Sequence, residues 1–396
     1  MKFSKNVLLS SVLLLASTSF AEDWPNFRGS NYDGISKEAG LKLDFTKNKP
    51  KRLWMTKVNT GFSSITTSKG KVYTMGHKSG KDYVYCLDER TGRVVWSKNY
   101  PAELSPNLYE GGPNSTPTIY DGMVYTLGKQ GQVNCYDARS GRTKWSDSLE
   151  KYGYPRPDWG FSGSPYISGD LVIINGGEYG IAYNRKTGKV AWRSPKGSAS
   201  YSTPVPYGDA ILHFGADKLV MLDPKSGKLY WDYGWKTSYK VNSADPIIDG
   251  NTVFISSGYG RGATLLKIGK SGAQKIWENK QMRNQFSSSV LYMGHVYGID
   301  GNTNDRNAGL KCIELKTGRE KWTHDLGFGS LTMVGDTLLV LRERGQLISI
   351  KADPNSYKEQ GKLQILGGKC WTSPIVSNGK FFARNAKGDL VCLSLK

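Results

Sequence analysis

Residues that could carry catalytic chemistry are sparse in this sequence, and they do not fall into catalytic spacings. The four histidines, His77, His213, His295 and His324, show no metal-ligand spacing and form no His-Glu-x-x-His motif. Ser162 lies in Gly-Phe-Ser-Gly-Ser, which misses by one residue the Gly-x-Ser-x-Gly turn of a nucleophilic serine. No Cys-x-x-Cys-His sequence is present to attach a haem. The sequence therefore favours a protein without catalysis of its own.

Charged residues in the irregular loops are the remaining candidates for chemistry. Glu178 and Arg261 each stand alone among glycines, where they could contact a ligand or simply be solvated. If the protein is an enzyme, a carboxylate such as Glu178 or Asp158 is the candidate general base. In the favoured interpretation no residue is catalytic.

Asp300, Asn302 and Asn304 have the alternating spacing with which a calcium-binding loop begins. The glycine that such a loop needs at its sixth position is missing. Lys311 stands where the closing glutamate of the loop belongs. We therefore expect a polar loop tip without a metal, and calcium at these three residues is the alternative.

A repeated phrase organises the chain that must position these residues. From Leu87 to Trp96 the sequence reads as a strand end, a Thr-Gly turn, and a second strand that closes on tryptophan. The glycine of this phrase recurs every 39 to 49 residues, at Gly92, Gly141, Gly188, Gly227, Gly272 and Gly318. A period of that length indicates a propeller or a solenoid.

Each repeat is predicted to contain four strands, A to D, because the apolar residues alternate with period two between short turns. Strand A begins eight times, at Ser64, Ser115, Ser164, Thr203, Asp245, Ser288, Ser330 and Ser373. Strand D closes on seven tryptophans, which we interpret as structural: Trp54, Trp96, Trp145, Trp192, Trp231, Trp277 and Trp322.

The last repeat stops after three strands, whereas residues 52–58 look like an orphan strand D before the first repeat. We therefore predict an all-β fold, an eight-bladed β-propeller of four-stranded antiparallel blades. The N-terminal strand completes the last blade, which closes the ring and removes its open edges.

The two faces of such a propeller differ sharply in this sequence. The A–B and C–D turns are short and uniform, whereas the D–A and B–C loops are long and irregular, and long loops on a rigid scaffold usually carry binding. The candidate ligand or channel-mouth residues on that face are Asn114, Trp159, Phe161, Glu178, Tyr201, Asn242, Arg261, Phe286 and Trp371. Aromatic and amide side chains around a channel could hold a flat ligand or sugar rings, or could fill the channel by packing.

The first residues have the features of an export signal. Lys2 and Lys5 precede an apolar run at residues 7–16, and small residues follow at the cleavage position. The run is shorter than the roughly 20 residues that a membrane span needs. No cysteine follows it for lipidation. We expect an exported, soluble monomer in the periplasm or outside the cell, with neither a membrane span nor a lipid anchor.

Three segments follow from this organisation of the chain. We predict a signal peptide at residues 1–21, an N-terminal extension at residues 22–49, and a single propeller domain at residues 50–396. A closed array of repeats folds as one unit although its length would otherwise suggest two or three domains.

The formal net charge of +20 favours anionic partners such as an acidic polysaccharide, or it reflects a solvated basic surface. Nucleic acid is not an expected partner of an exported protein. Four of the five cysteines occupy one repeat position and should therefore lie beyond the roughly 7 Å reach of a disulfide. We expect no disulfide.

The repeated Asp-x-x-Thr/Ser-Gly-x-x-x-Trp spacing across residues 50–396 resembles the pyrroloquinoline-quinone-type (PQQ-like) β-propeller repeat family. The opening Asp-Trp-Pro-Asn-Phe-Arg-Gly of residues 23–29 is similar to the start of exported bacterial members. The family comprises quinone-dependent alcohol dehydrogenases and non-enzymatic propellers, including the lipoprotein that scaffolds outer-membrane protein assembly. This chain lacks the adjacent cysteine pair that cradles the quinone in the enzymes, and it lacks a lipidated cysteine.

A shared repeat implies a fold and does not by itself imply a chemistry. We interpret the chain as a non-catalytic binding or scaffold propeller of the cell envelope, whose partner is an envelope protein or polysaccharide. No cofactor is expected in that case. The alternatives are a PQQ-dependent alcohol or polyol dehydrogenase that carries PQQ with calcium, and a protein that binds anionic glycans.

Overall fold

The computed structural model describes residues 22–396, so the predicted signal peptide at residues 1–21 lies outside it. These residues form thirty-three strands and one short 3₁₀-helix at Leu149–Tyr152. Strands β1 (Ile35–Ser36) and β2 (Lys51–Lys57) precede eight antiparallel sheets.

Each sheet is one blade, and its strands are numbered from the channel outwards. Blades 1 to 4 are β3–β6 (Thr66–Ser68, Lys71–Lys78, Lys81–Asp88, Val94–Pro101), β7–β10 (Thr118–Tyr120, Met123–Leu127, Gln132–Asp137, Thr143–Ser148), β11–β14 (Tyr166–Ser168, Leu171–Ile174, Ile181–Asn184, Val190–Arg193) and β15–β18 (Val205–Tyr207, Ala210–Phe214, Lys218–Leu222, Leu229–Gly234). Blades 5 to 8 are β19–β22 (Ile247–Asp249, Thr252–Ser257, Gly262–Gly269, Gly272–Asn279), β23–β26 (Val290–Tyr292, His295–Asp300, Gly309–Glu314, Glu320–His324), β27–β30 (Gly329–Val334, Thr337–Arg342, Gln346–Lys351, Lys358–Gln364) and β31–β33 (Ile375–Ser377, Lys380–Arg384, Asp389–Ser394) with β2. The predicted eight-bladed propeller is confirmed.

The ring closes between its two ends. Strand β2 pairs antiparallel with β33 as the outermost strand of blade 8, and Trp54 stands opposite Cys392. Arg384 of blade 8 is fully buried and donates hydrogen bonds to the hydroxyl of Thr74 (3.0 Å) and to the carbonyl of Asn59 (2.8 Å). The predicted closure by the N-terminal strand is confirmed, and Arg384 ties blade 8 to blade 1.

The seven tryptophans join each blade to the next through one recurring hydrogen bond. Every indole N–H donates to a backbone carbonyl in the C–D turn of the following blade, at 2.7–3.0 Å. The donor and acceptor residues are Trp54 and Glu89, Trp96 and Ala138, Trp145 and Arg185, Trp192 and Pro224, Trp231 and Gly269, Trp277 and Leu315, and Trp322 and Asp353. The ring also covers the turn glycine, because a Cβ on Gly188 would lie 2.7 Å from the indole of Trp145.

The interface between blades 7 and 8 lacks a tryptophan and is filled from the N-terminal extension instead. Phe45 is 1% exposed and packs among Leu341 and Leu347 of blade 7 and Phe381 of blade 8. Its backbone N–H donates to the carbonyl of Gln360 at 2.7 Å. A phenylalanine from outside the repeat therefore replaces the missing eighth tryptophan.

Serine and threonine side chains link the inner strands around the channel. The backbone N–H of Ser64 donates to the hydroxyl of Thr116, and the N–H of Thr116 donates to the hydroxyl of Ser164. The same step continues through Thr203, Asp245 and Ser288, with N–H to oxygen distances of 2.8–3.1 Å over the series. The polar start of each strand A thus satisfies backbone donors that face the channel.

Residues 22–36 close the channel at its tight-turn end. The carbonyls of Trp24 and Pro25 accept from the inner strands of blades 1 and 2, and β1 adds in parallel to β27 of blade 7. Arg28 is buried beneath them and donates to the carbonyl of Ser289 at 2.6 Å. The boundary at residue 50 stays a prediction, and we propose that the extension folds together with the propeller.

We predict that Gly188→Ala destabilises the protein more than Gly169→Ala in the same blade. Both glycines have positive φ, +72° and +56°, but only Gly188 faces an indole, whereas a Cβ on Gly169 meets nothing within 4 Å. The left-handed backbone should cost about 1–2 kcal/mol in each variant, and overpacking against Trp145 about 1–3 kcal/mol more in Gly188→Ala. Urea denaturation measures the difference, and equal losses would contradict the clamp.

We predict that Phe45→Ala lowers the free energy of unfolding by about 3–5 kcal/mol, as loss of a buried phenylalanine does. The control is Leu53→Ala, because Leu53 is exposed on the closing strand and should contribute less than about 0.5 kcal/mol. Both variants are compared by urea denaturation. If Phe45→Ala unfolds at the urea midpoint of the unmodified protein, the extension is not part of the cooperative unit.

Candidate functional site

The B–C and D–A loops build an irregular face, which we call the loop face. Residues 102–117 and 149–165 connect blades 1 to 2 and 2 to 3, and residues 301–308 form the longest B–C connection of blade 6. On the opposite, tight-turn face, A–B and C–D turns hydrogen-bond to one another, as from Ala138 N–H to the Gly122 carbonyl at 2.8 Å. The loop face is therefore the side on which side chains can converge on the channel.

Two arcs of aromatic side chains surround the channel mouth on the loop face. In the first arc Trp371 lies between Phe62 and Phe286, with ring centroids 5.7 and 5.3 Å away, and Phe286 contacts Phe328 at 4.8 Å. In the second arc Trp159 contacts Tyr201 and Tyr239, and Tyr239 contacts Tyr259 at 5.2 Å. Six of these eight rings are half-buried, Tyr239 is exposed and Phe328 is buried.

Sequence reasoning placed Trp159, Tyr201, Phe286 and Trp371 at this mouth, and the structure brings them into the two arcs. It missed Phe62 and Phe328. Both precede a strand A, as the predicted mouth residues do, so the same rule applied to blades 1 and 7 would have found them. Tyr239 and Tyr259 follow no repeat signal.

Phe161 and Asn242 do not line the mouth, which corrects the expectation for both. Phe161 is 1% exposed and packs in the core between blades 2 and 3, against Leu149 and the Gly131 backbone. Asn242 is fully buried, and its amide donates to three carbonyls while its oxygen accepts from Ser257. Each side chain supports the loops from beneath.

Asn114 joins the two longest loops. Its side-chain amide donates to the carbonyl of Trp159 at 3.0 Å and to the hydroxyl of Ser162 at 3.2 Å. It also donates to the hydroxyl of Tyr109, which lies against Phe62. Asn114 is half-buried and holds one arc of the mouth next to the other.

The charged loop candidates are engaged with neighbouring residues. Glu178 pairs with Lys218 at 2.7 Å. Arg261 lies over the Trp235 ring at 3.4 Å and pairs with Glu278 at 2.7 Å. Asp158 is exposed at the edge of the face. These contacts orient Glu178 and Arg261 across the loop face and separate both from the channel axis groups.

The residues considered for calcium form an internal brace, which corrects that alternative. Asp300 is buried and accepts from Arg283 at 2.7 Å, and the Lys311 ammonium lies 3.3 Å away. The oxygen of Asn302 accepts from the backbone of Tyr259 at 3.0 Å. Two cations already neutralise the Asp300 carboxylate, so a divalent ion would be repelled.

A basic cleft of about 610 Å³ opens beside the mouth, at the seam between blades 8 and 1. Lys57, Lys78 and Lys387 line it together with Thr60. Lys57 pairs with Asp389 at 2.7 Å, whereas Lys78 and Lys387 make no ion pair with any residue from 22 to 396. The cleft can therefore accept an anionic group next to the aromatic rings.

Below the mouth, Asp245 and Arg28 are the buried charges of the channel. The Asp245 carboxylate accepts from the Thr203 backbone at 2.8 Å. Burial raises the pKa of Asp245 to about 6, and the positive charge of Arg28 opposes that rise. Burial likewise lowers the pKa of Arg28. This pair is a titratable element of the fold rather than of the loop face.

The quinone and calcium that the resemblance implies for dehydrogenases do not fit these residues. A flat cofactor needs an open slot over the channel, but the first-arc rings pack on one another at 4.8–5.7 Å. Glu178 and Asp300 are ion-paired, and Glu343 accepts from the Trp371 indole at 2.8 Å. Within residues 22–396, no three His, Cys, Asp or Glu side chains are grouped to hold a metal ion.

A fold and a face of this kind define an eight-bladed propeller with an aromatic, loop-built binding surface. The chain belongs to the PQQ_2 family, whose model is described as outer membrane protein assembly factor BamB and matches residues 44–155 and 156–324. In the part of the chain that the structure describes, no helix is both long and apolar enough to cross a membrane.

Known relatives fall into the two classes that the resemblance implies. BamB of Escherichia coli (strain K12) is 24% identical over 337 residues, covering 76% of this chain and 78% of the relative. Quinohemoprotein alcohol dehydrogenase ADH-IIG of Pseudomonas putida is 28% identical over 249 residues, covering 60% of this chain and 30% of the enzyme. Three of the curated relatives that this chain matches are spanned over only 29–47% of their length.

The same fold occurs in solved enzyme structures. The quinohemoprotein alcohol dehydrogenase of Comamonas testosteroni superposes with a TM-score of 0.74 at 12% identity, covering 96% of this chain and 81% of the enzyme. At that identity the likeness concerns the fold alone. The activity of this chain must therefore be argued from its own loop face.

We predict that Asp245→Asn removes a pH dependence of stability. The folded-state pKa of about 6 lies above the roughly 3.9 of an unfolded aspartate. The stability that Asp245 contributes is therefore present below pH 4 and is lost as the pH rises through 6. Relative to the variant, the wild-type free energy of unfolding should fall by roughly 2 kcal/mol between pH 4 and 7. A difference that stays constant across this range would contradict the shift.

Proposed function

We propose that this protein is a non-catalytic scaffold of the cell envelope, and that it binds a segment of a partner protein across the channel mouth on its loop face. The observation that carries the proposal is the pair of aromatic arcs around that mouth. Half-exposed aromatic rings on a rigid support bind well because they bury a large area and lose little conformational entropy. The partner and its sequence are left open by this argument.

The supports of the mouth favour a binding surface over a reaction centre. Asn114, Asn242 and the Asp300 brace fix the loops by hydrogen bonds and ion pairs before any partner arrives. Such preorganisation lowers the entropy lost on binding. The carboxylates Glu178 and Asp300 that could act as bases are held by cations.

The basic cleft suggests which partner segment fits. Lys78 and Lys387 lie beside the aromatic rings, so a segment with apolar side chains followed by an acidic residue would satisfy both surfaces. Export, as predicted from residues 1–21, and family membership support an envelope protein as the partner. Residues 22–36 close the other end of the channel, which supports binding at the mouth rather than passage through the channel.

A photo-crosslinking amino acid tests the site when it replaces Tyr239 on the loop face or Tyr120 on the tight-turn face. The two tyrosines are 55% and 45% exposed, so they are matched in residue type and accessibility. In cells, we expect a discrete protein adduct from the Tyr239 position and none from the Tyr120 position. The adduct should be lost when Trp371→Ala and Phe62→Ala are combined in the same chain.

The dehydrogenase alternative gives an opposite result with purified protein. PQQ and calcium are added, and the bound chromophore and alcohol-dependent dye reduction are measured. Dye reduction would overturn the scaffold proposal. So would equal protein adducts from the Tyr239 and Tyr120 positions, because the loop face would then have no preference for a partner.

A further inference from the structure

The tight-turn face carries a repeated pattern of cations that the proposed function does not use. In the C–D turns, a basic residue stands two places before the turn glycine and another stands one place after it. These are Arg90 and Arg93 in blade 1, Arg139 and Arg142 in blade 2, and Lys186 and Lys189 in blade 3. Blades 4 and 6 carry lysine or arginine at the same two positions. We call these ten side chains the basic rim.

The five turns are equivalent in structure, so the rim residues occupy equivalent places around the ring. In each turn the glycine N–H donates to the carbonyl four residues earlier at 2.8 Å, for example Gly141 to Asp137 and Gly188 to Asn184. The first strand D residue then pairs with the penultimate or last strand C residue, as Tyr136 pairs with Thr143. Uniform turns place the rim cations at one level of the tight-turn face.

The rim cations are exposed and available. All ten are exposed, and none makes an ion pair with another residue in the range 22–396. The acids around them are engaged elsewhere. Asp137 accepts from the backbone and hydroxyl of Ser140, and Glu89 pairs with Lys380 at 2.8 Å. The positive charge of the rim is therefore directed to solvent.

Apolar side chains stand next to the cations on the same face. Val94, Val190 and Leu229 directly follow the second rim cation of blades 1, 3 and 4 and are exposed. Met293 lies at the tip of an A–B turn and is 80% exposed. A flexible anionic polymer would gain little from these apolar groups, whereas a lipid surface accommodates both kinds of side chain.

We propose that the tight-turn face docks on a membrane surface that contains anionic lipids. The basic rim would lie against the headgroups, while Met293 and the apolar residues of the rim enter the interface. Each basic residue close to an anionic bilayer adds to the affinity, and the attraction is confined to about one Debye length. The loop face then points away from the membrane and stays open to a protein partner.

Vesicle binding by the full chain tests this orientation. The rim variant combines Arg139→Gln, Arg142→Gln, Lys186→Gln and Lys189→Gln. A matched control combines Arg306→Gln, Arg344→Gln, Lys196→Gln and Lys236→Gln, which remove the same charge from exposed residues of the loop face. Co-sedimentation is measured with phosphatidylglycerol vesicles and with phosphatidylcholine vesicles in 0.1 M salt.

We expect the unmodified chain and the control to bind phosphatidylglycerol vesicles and not phosphatidylcholine vesicles. The rim variant should bind phosphatidylglycerol about 30-fold more weakly. Equal weakening of both variants would overturn the proposal, because net charge alone would then explain binding. Absence of vesicle binding, with retention of the unmodified chain on dextran sulfate, would overturn it in favour of an anionic polymer. Crosslinking from Tyr239 is independent of either result.

Discussion

The hydrogen bond from an indole N–H to a carbonyl of the next blade is the interaction on which the rest of this structure depends. Each blade alone would expose one side of its sheet, and the tryptophan both covers that side and satisfies a turn carbonyl. It can do so only because the turn residue beneath the ring is glycine, as Gly188 is beneath Trp145. This requirement keeps the C–D turns short and alike, and it leaves sequence variation to the other face.

The sequence predicts the parts of this fold that repeat. The spacing of glycine and tryptophan gave the blades, and the orphan strand that ends in Trp54 gave the closure. Phe45 and residues 22–36 could not be predicted to fill the core, because they lie outside the period and contact residues some 300 positions away. At the mouth, the position before strand A located Trp371 and Phe286, but it could not tell them from the buried Phe161.

The two faces of the propeller therefore support different kinds of contact. The loop face presents aromatic rings held at fixed positions by Asn114 and by the Asp300 brace, which suits a shaped partner. The tight-turn face presents charge at regular intervals with little relief, which suits an extended flat partner. A single rigid ring could in this way hold a protein segment on one side and a surface on the other, without any movement between its blades.

Closure by β2 also has a consequence for the order of folding. The outermost strand of blade 8 is made first, whereas the three strands that receive it are made last. The ring cannot close until residues 389–394 of strand β33 have been synthesised, so its longest-range contacts form late and only in the complete chain. A chain that crosses a membrane unfolded would arrive with its closing strand already present and would complete the ring only when its end had followed.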